Sequence, residues 1–403
     1  MFFTCIVNIL REISDKKIKG VSLNIIRFLM NSIDWDNRLI GISGARGAGK
    51  TTLILQHLKK QYKFSEKAIY IELDHFYFAE HSLYDFADEF EKEGGEILFL
   101  DEVHKYKNWS HDLKLIYDNL PALKIVFTSS SALEVYKGSH DLSRRLVLYT
   151  LPGLSLREYA IFKYNLVLPK LTLNEILFHS RKIISALPED FKPIKIFKEY
   201  TQKGYYPFFK ENENLYHEKL LNVLNVVVEN DLPIIFNIDF NSVIKLKKLV
   251  SIIARLVPYK PNIKKLAEQI GVTRETLLRY LYYLEKAQIV KWISKNSHGI
   301  NFLNKPDKLY LQNTNLVFAL AQEATNPGNV RETFFLNQVA VNHKISYPAQ
   351  TDFLVNDKYF FEVGGKSKSQ KQIKELPDAF IVKDNIEFGS GNIIPLWMFG
   401  LLY

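Results

Sequence analysis

The sequence predicts an α/β protein built on a parallel sheet, and three observations lead to that prediction. A glycine-rich loop, GARGAGKT, follows an apolar run and precedes a segment with helical periodicity. A second apolar run, ILFL, leads directly into Asp101 and Glu102. A further strand-like run, AIYIEL at 68–73, lies between these two motifs, and KIVFTSSS at 124–131 follows the second. Such runs are typical of parallel strands that are buried on both faces.

The glycine-rich loop fits G-x-x-x-x-G-K-[ST] at every fixed position, between the strand-like RLIGIS and the helix-like TTLILQHLKKQY. This pattern predicts a phosphate-binding loop for ATP, in which glycines let backbone N–H groups surround the phosphates at a helix N-terminus. Lys50 would reach the β and γ phosphates, and the Thr51 hydroxyl would ligate Mg²⁺. The predicted nucleotide-binding residues are Gly44, Ala45, Arg46, Gly47, Ala48, Gly49, Lys50, Thr51 and Thr52.

The acidic pair supplies the expected partner of this loop. Asp101 would enter the Mg²⁺ shell, and Glu102 would orient or deprotonate the attacking water. Thr128 or Ser129, at the end of the next strand, would contact the γ phosphate or that water. The extra strands place the core in the additional-strand class of P-loop ATPases.

Two arginines in HDLSRRLVLY precede a fifth apolar strand. Arg144 or Arg145 would act as a finger that stabilises transition-state charge on the nucleotide of a neighbouring subunit. The alternative for each arginine is a surface ion pair.

The letters DEVH, residues 101–104, also match the box of one helicase class. Such a helicase needs a second RecA-like domain after the first, but residues 161–240 show helical periodicity instead. That pattern suits the helical lid of an AAA+ ATPase. His104 is therefore interpreted as a hydrogen-bonding residue just past the site.

These motifs together carry a resemblance. GARGAGKTTLILQ, LFLDEVHKYKNW, IVFTSSSALEVYKGSHDLSRR and LPGLSLREY are similar, in order and spacing, to a bacterial and archaeal family of STAND-like AAA+ ATPases. The similarity continues through KPDKLYLQNTNLVFAL, VRETFFLNQV and FEVGGKSKSQKQIK to IPLWMFGLLY. Membership would imply an AAA+ ATPase core followed by a C-terminal domain of unknown function.

The net charge of +9 is concentrated in one segment, because Lys245 to Lys295 contains twelve Lys and Arg against three Glu. There a helix at about 262–270, a turn at Gly271, a second helix capped by Thr273 and the β-like QIVKWI follow the order of a winged helix-turn-helix. DNA contacts are predicted for Arg274, Thr276 and Arg279. The alternative is a protein-docking module, with Tyr280, Tyr282 and Tyr283 in its core.

The last hundred residues resemble the PD-(D/E)XK nuclease arrangement. Glu332 lies in a predicted helix, Asp352 in one strand, and Glu362 with Lys366 in the next. In that arrangement carboxylates hold Mg²⁺ and a lysine activates water. The lysine follows the acid by four residues here instead of two, so the two intervening glycines either form a bulge that restores its reach or mark lost chemistry. A fold retained for binding or oligomerisation is favoured over cleavage.

The predicted organisation is an N-terminal helical segment (1–33), an ATPase core (34–160), a helical lid (161–240), a winged helix (241–300) and a nuclease-like domain (301–403). One cysteine allows no intrachain disulfide, and no signal peptide or membrane span is recognised, so a cytoplasmic protein is expected. ATP state would control the attached domains acting on DNA. The alternatives are an ATP-regulated nuclease and a regulatory scaffold that binds proteins; a homo-oligomer is possible with any of them.

Overall fold

The structure, a computed structural model, describes residues 2–130, 142–256, 258, 260–295, 305–321, 325–369 and 371–403. The stretch SALEVYKGSHD, residues 131–141, and the segment 296–304 therefore lie outside the described residues. The chain divides into two compact units, Met1–Gly153 and Leu154–Tyr403. Across the described residues, no helix is both long and apolar enough to cross a bilayer.

The first unit is a parallel sheet with helices around it. Its strands are β1 (Leu39–Ser43), β2 (Ala68–Glu72), β3 (Ile97–Asp101), β4 (Lys124–Ser129) and β5 (Val147–Thr150). Its helices are α1 (Phe2–Gly20), α2 (Lys50–Gln61), α3 (Tyr77–Glu80), α4 (Leu83–Lys92) and α5 (Trp109–Asn119). Short 3₁₀ turns cover Phe28–Asn31 and Val103–Lys105.

The strand order among the described residues is β2-β3-β4-β1-β5, and every pairing is parallel. The predicted parallel sheet is thus confirmed, and β1 and β3 are buried along their whole length. Because all strands run the same way, their carboxyl ends meet at one edge of the sheet. That edge brings together the residues that follow β1, Asp101 at the end of β3 and Ser129 at the end of β4.

The second unit begins with helices. They are α6 (Leu156–Tyr164), α7 (Leu173–Ser185), α8 (Pro193–Lys203), α9 (Tyr216–Val226), α10 (Leu232–Phe236), α11 (Phe240–Leu256), α12 (Ile263–Ile270), α13 (Arg274–Lys286), α14 (Thr314–Ala321) and α15 (Pro327–Val339). A π-helical turn at Val227–Asp231 joins α9 to α10, and 3₁₀ turns cover Pro207–Lys210, Lys371–Ile373 and Leu396–Leu401.

Two sheets complete this unit. The strands β6 (Val290–Ile293) and β7 (Lys308–Leu311) form an antiparallel pair. The others are β8 (Ile345–Ser346), β9 (Phe353–Val355), β10 (Tyr359–Gly364), β11 (Ala379–Lys383) and β12 (Ile393–Pro395). Their order is β12-β11-β10-β9-β8, with β10, β11 and β12 parallel and β8 and β9 antiparallel to their neighbours.

A buried polar network ties distant parts of the second unit together. The side-chain amide of Asn315 accepts the backbone N–H of Tyr205 and donates to the backbone carbonyls of Tyr200 and Thr201, at 2.7 to 3.0 Å. Gln338 donates to the hydroxyls of Tyr200 and Tyr403. Since breaking a buried network leaves unsatisfied polar groups, these bonds hold α8, α14 and α15 as one body. The predicted segments 161–240, 241–300 and 301–403 accordingly share one compact unit.

Candidate functional site

The backbone of the glycine-rich loop requires glycine at specific places. Gly47 and Gly49 have φ of 82° and 97°, in the region that side chains disfavour. At Gly44 a Cβ atom would meet the carbonyl oxygen of Leu151 at 2.4 Å. The loop leads from β1 into α2, with Gly49 at the N-cap position. The result is a set of backbone N–H groups at the positive end of a helix, which favours a bound anion.

Lys50 is buried inside this loop. Its ammonium donates to the carbonyl oxygens of Gly44 at 2.9 Å and Ala45 at 3.1 Å. The loop is also fixed from outside by Arg27, a buried guanidinium that donates to the carbonyls of Ala48 at 2.6 Å and Pro152 at 2.7 Å. The Lys50 ammonium is therefore held among the backbone amides of the loop, where it would neutralise the negative charge of bound phosphate oxygens.

Asp101 lies beside the loop and connects three hydroxyl groups. Its Oδ2 accepts from the Thr51 hydroxyl at 2.8 Å and from the Tyr70 hydroxyl at 2.7 Å. Its Oδ1 accepts from the Thr128 hydroxyl. Burial and the adjacent Asp101 carboxylate raise the pKa of Tyr70 far above its ordinary value, so Tyr70 stays a neutral donor. Asp101 and Thr51 thus present two oxygen ligands side by side, as a Mg²⁺ ion on a nucleotide requires.

Glu102 has the conformation of a strained site residue. Its φ of 54° and ψ of 45° are left-handed, which is uncommon for a residue with a side chain. Its Oε2 is buried, accepts no hydrogen bond from the residues that the structure describes, and lies 3.5 Å from Nε2 of His104. Burial raises the pKa of Glu102, and the Asp101 charge raises it further. The Lys50 ammonium lowers this pKa, but the net shift is upward. A carboxylate of this kind suits a proton acceptor for water.

The end of β4 contacts Asp101 and Glu102 through the side chain of Thr128. Thr128 is fully buried, and its hydroxyl also accepts the backbone N–H of Glu102 at 3.1 Å. Thr128 is therefore a positioning residue for Asp101 and Glu102. Ser129 pairs in register with Ser43, at the start of the phosphate loop. Ser130 follows it and contacts Nε2 of His104 at 3.1 Å, so His104 links this strand end to Glu102.

The two candidate finger arginines differ. Arg145 pairs with Asp118 through two nitrogens, at 2.8 and 3.0 Å, which matches the ion-pair alternative. Arg144 is exposed. Both precede β5, whose first residue, Val147, pairs with Ile40 near the start of β1. They lie at the amino-terminal edge of the sheet, a strand length of on the order of 15 Å from the phosphate loop. Neither arginine is placed to act on the nucleotide site of its own chain.

The basic segment contains the predicted order of local elements. α12 is capped by Asn262 and ends at Gly271, whose φ is 75°; α13 is capped by Thr273, and β6 follows it. Arg274 and Arg279 are exposed, and Arg279 pairs with Glu275 at 3.2 Å. The Thr276 hydroxyl accepts from Thr273 within the helix cap. The two arginines of α13 are therefore exposed to solvent, while the Thr276 hydroxyl is hydrogen-bonded within the first turn of the same helix.

The tyrosines of α13 are packing residues. Tyr280 is buried in the core, and Tyr283 stacks on Phe236 with ring centroids 3.6 Å apart. Tyr282 is half-buried and lies under the Lys286 ammonium. The rings of Tyr280 and Tyr283 are therefore not free to stack on nucleic-acid bases. This agrees with the alternative interpretation, in which they are core residues.

The carboxylates of Glu332 and Asp352 lie close together, as the sequence predicts, but a lysine ammonium group lies between them. Lys308 of β7 places its Nζ 2.5 Å from Oε2 of Glu332 and 3.1 Å from Oδ1 of Asp352. The Tyr310 hydroxyl donates to the same Glu332 oxygen at 2.9 Å. Oδ2 of Asp352 accepts the backbone N–H of Val363 at 3.1 Å.

The lysine that pairs with Glu362 is Lys368, whereas the sequence interpretation named Lys366. Nζ of Lys368 lies 2.5 Å from Oε1 of Glu362. A turn in which the Lys368 N–H bonds to the Gly365 carbonyl folds the chain back over β10. A Cβ at Gly364 would meet the Lys368 stem at 2.7 Å, so that glycine makes room for it. The glycines thus allow a lysine six residues after the acid to reach it.

Among the described residues, no group of three His, Cys, Asp or Glu side chains is arranged to hold a metal ion. The predicted second metal site of Glu332, Asp352 and Glu362 has ammonium groups between its carboxylates, so its residues do not fit a divalent ion as they stand.

Sequence reasoning missed Tyr70, Lys308, Tyr310 and Lys368. Tyr70 and Lys308 belong to apolar strand runs in which a single polar side chain is an ordinary occurrence. Their partners lie on other elements: Asp101 at the end of β3 for Tyr70, and Glu332 of α15 and Asp352 for Lys308. No local pattern contains these contacts. For Lys368, the run GGKSKSQK offers several lysines, and only the turn geometry selects one.

A glycine loop between β1 and α2, with an Asp–Glu pair at the end of β3 in a parallel sheet, is the arrangement of a P-loop nucleotide-binding core. Residues 36–160 match the family described as AAA domain, and residues 194–326 match a domain of unknown function, DUF8612.

An uncharacterized protein of Methanocaldococcus jannaschii is 26% identical over 296 residues. The match covers 68% of this chain, and the chain spans 62% of that relative's length.

Several solved structures are similar to this chain, with low TM-scores. They include AMPPCP-bound DnaA from Aquifex aeolicus, 15% identical, covering 64% of this chain and 84% of that one, with a TM-score of 0.26. C. elegans PCH-2 is 18% identical, with coverage of 50% and 57% and a TM-score of 0.27. The S. cerevisiae Hsp104–ADP complex is 14% identical, with coverage of 69% and 40% and a TM-score of 0.31.

Proposed function

We propose that this chain binds and hydrolyses MgATP in its first unit and that the nucleotide state controls its action on DNA through α13 of the second unit. The observation that carries the ATPase part is the arrangement around Asp101. The Thr51 hydroxyl and the Asp101 carboxylate are 2.8 Å apart, and Glu102 follows with a carboxylate oxygen that accepts no hydrogen bond.

In this proposal the chain's own residues hold the nucleotide and place the water. The amides of residues 44–52 and the Lys50 ammonium bind the β and γ phosphates. Thr51 and Asp101 supply Mg²⁺ ligands, and the ion would neutralise charge that develops on the phosphates. Glu102 accepts a proton from the attacking water, while Thr128 fixes the backbone of Glu102 and the carboxylate of Asp101. Ser129 or Ser130 lies at the γ-phosphate end of the site.

The arginine function is proposed to act between chains. Arg144 is exposed at the sheet edge opposite the phosphate loop, so it would complete the site of a neighbouring copy. This makes the active form a homo-oligomer. Arg145 is engaged with Asp118 and is assigned a structural function.

The DNA part rests on charge and exposure. The segment from Lys245 to Lys295 carries the net positive charge of the chain, and α13 exposes Arg274 and Arg279 after a capped turn. We assign α11, α12, α13 and the β6–β7 pair to a winged helix-turn-helix on this order of elements. A basic face of this kind binds phosphate backbones, and its affinity falls steeply with salt.

The test is steady-state ATP hydrolysis with and without double-stranded DNA. The proposal expects stimulation that is lost in Arg274→Ala/Arg279→Ala, while the DNA-free rate stays unchanged. Lys195→Ala/Lys198→Ala is the matched control, because it removes two exposed charges from α8. A rate that ignores DNA in wild type, or that both double variants alter equally, would contradict the DNA part alone.

A second candidate, a scaffold that docks a protein, is favoured by one surface. Ile234, Phe240 and Ile244 are exposed on α10 and α11, with Phe240 at 78%. Large exposed apolar side chains near one another are typical of interaction surfaces. A DNA-indifferent ATPase rate would favour this candidate, and substitution of Phe240 and Ile244 by Ser would then abolish partner binding.

A further inference from the structure

The carboxylate cluster of Glu332, Asp352 and Glu362 in the second unit contains a lysine ammonium group. We propose that Lys308 is a built-in substitute for a metal ion: its ammonium occupies the position between Glu332 and Asp352, and the cluster is a latent divalent-cation site that opens only when Lys308 is removed.

The distances support one cation position. Nζ of Lys308 contacts an oxygen of Glu332 at 2.5 Å and an oxygen of Asp352 at 3.1 Å, so both carboxylates point at the same point in space. A Mg²⁺ ion binds carboxylate oxygens at about 2.1 Å and would need that point for itself. The ammonium and a divalent ion therefore exclude each other, both by volume and by charge repulsion at short range.

The lysine is built into the cluster and is not a passing surface contact. Its side chain is 9% exposed, and those of Glu332 and Asp352 are 16% and 18% exposed. Burial alone lowers the pKa of Lys308, but the charges of Glu332 and Asp352 outweigh it and the net direction is upward. The ammonium thus stays charged at neutral pH, and no titration of Lys308 frees the two carboxylates there.

Each of the two carboxylates also accepts a hydrogen bond from a neutral donor. Tyr310 donates to Glu332, and the Val363 N–H donates to Asp352. The third carboxylate, Glu362, is paired with Lys368, whose stem packs over Gly364. The three acidic residues thus share two ammonium groups, Lys308 between Glu332 and Asp352 and Lys368 at Glu362, which is an arrangement for holding the fold together without a metal.

The consequence for function is specific. A site that holds no divalent ion has no means to activate water for phosphodiester cleavage by the two-carboxylate route. The C-terminal part of the second unit would therefore contact its ligands without cutting them. This conclusion uses residues of the second unit alone and does not depend on ATP hydrolysis.

The test is Mn²⁺ uptake by the full-length, nucleotide-free protein, measured from the loss of the free-Mn²⁺ electron paramagnetic resonance signal. Wild type, Asp352→Asn, Lys308→Met and Lys308→Met/Asp352→Asn share the same first unit, so any Mn²⁺ bound there cancels in the comparison. We expect wild type and Asp352→Asn to take up equal amounts. Lys308→Met should take up one more Mn²⁺ per chain, and the double variant should lose it.

Thermal unfolding of the same proteins gives a second readout. Lys308→Met leaves two carboxylates unpaired, so its melting temperature should fall without metal and rise with Mn²⁺, which binds the folded state. Lys344→Met is the matched control, since it removes an ammonium from Asp357 at an exposed pair and should gain no Mn²⁺.

Three results would overturn the proposal. One is a wild-type chain that loses a bound Mn²⁺ on Asp352→Asn, because the site would then already hold metal. Another is a folded Lys308→Met that takes up no additional Mn²⁺. The third is a Lys308→Met that stays unfolded at every Mn²⁺ concentration, because a latent site would stabilise the folded chain.

Discussion

The hydroxyl of Thr128 donates a hydrogen bond to Oδ1 of Asp101, from the end of β4 to the end of β3. The same oxygen of Thr128 accepts the backbone N–H of Glu102. One side chain thereby fixes Asp101, the proposed metal ligand, and the left-handed residue that follows it. Because Thr128 is fully buried, water does not replace either bond when the hydroxyl is lost.

Thr128→Val keeps the side-chain volume and removes both bonds. We expect the free energy of unfolding to fall by about 1–3 kcal/mol, the cost of leaving buried polar groups unsatisfied, and ATP turnover to fall with it. Urea unfolding and steady-state hydrolysis measure the two effects. Thr128→Ser, which retains the hydroxyl, is the control and should stay near wild type in turnover. Equal turnover in the Val and Ser variants would contradict the positioning role.

Arg144→Ala should reduce ATP turnover by on the order of 10³-fold, as loss of a transition-state arginine does, while ATP binding stays intact. Arg145→Ala, which removes the ion pair with Asp118, should retain turnover within about twofold. If Arg144 acts between chains, mixing Arg144→Ala with inactive Lys50→Ala should restore activity, because one chain supplies the loop and the other the arginine. Mixtures as inactive as their components would exclude this role.

Glu285 gives a pH-dependent prediction for the second unit. It lies buried in α13, and within the described part of the chain neither carboxylate oxygen has a hydrogen-bond partner. Burial raises its pKa, and Lys291 and Lys286 oppose this only in part. Because the folded-state pKa is above the unfolded value, the folded chain favours the protonated form, and stability falls as pH rises through the folded-state pKa.

Glu285→Gln should therefore be more stable than wild type at pH 8, by about 1–3 kcal/mol, and nearly equal to it below pH 4.5. Urea unfolding at both pH values measures this. Glu268→Gln, an exposed change on α12, should show no such pH dependence. A Gln variant that is destabilised equally at both pH values would show that Glu285 is stabilised by its surroundings.

The sequence was informative wherever one short segment carries the chemistry. The glycine loop, the Asp101–Glu102 pair and the caps of α12 and α13 depend on neighbours a few residues apart, and the structure has all of them. The placement of Arg144 opposite the phosphate loop depends on the register of β5 against β1, which local patterns do not contain.

The C-terminal cluster shows the same limit. Glu332, Asp352 and Glu362 were recognisable from their elements, but the cation between the first two comes from β7, far back in the chain. The second unit also holds together through the Asn315 bond to Tyr205 and the Gln338 bond to Tyr200, which join residues more than a hundred positions apart. Segment boundaries drawn from periodicity did not anticipate one compact body.

The most direct test of the account is ATP binding and hydrolysis by Glu102→Gln beside wild type, with exposed Glu96→Gln as the control. The substitution removes the proton acceptor and leaves the phosphate loop, Thr51 and Asp101 in place. The account predicts unchanged ATP affinity with turnover reduced by about 10²–10⁴-fold in Glu102→Gln, and a normal rate in Glu96→Gln. A Glu102→Gln chain that turns over ATP at the wild-type rate would contradict the assignment of Glu102 and the active site built around it.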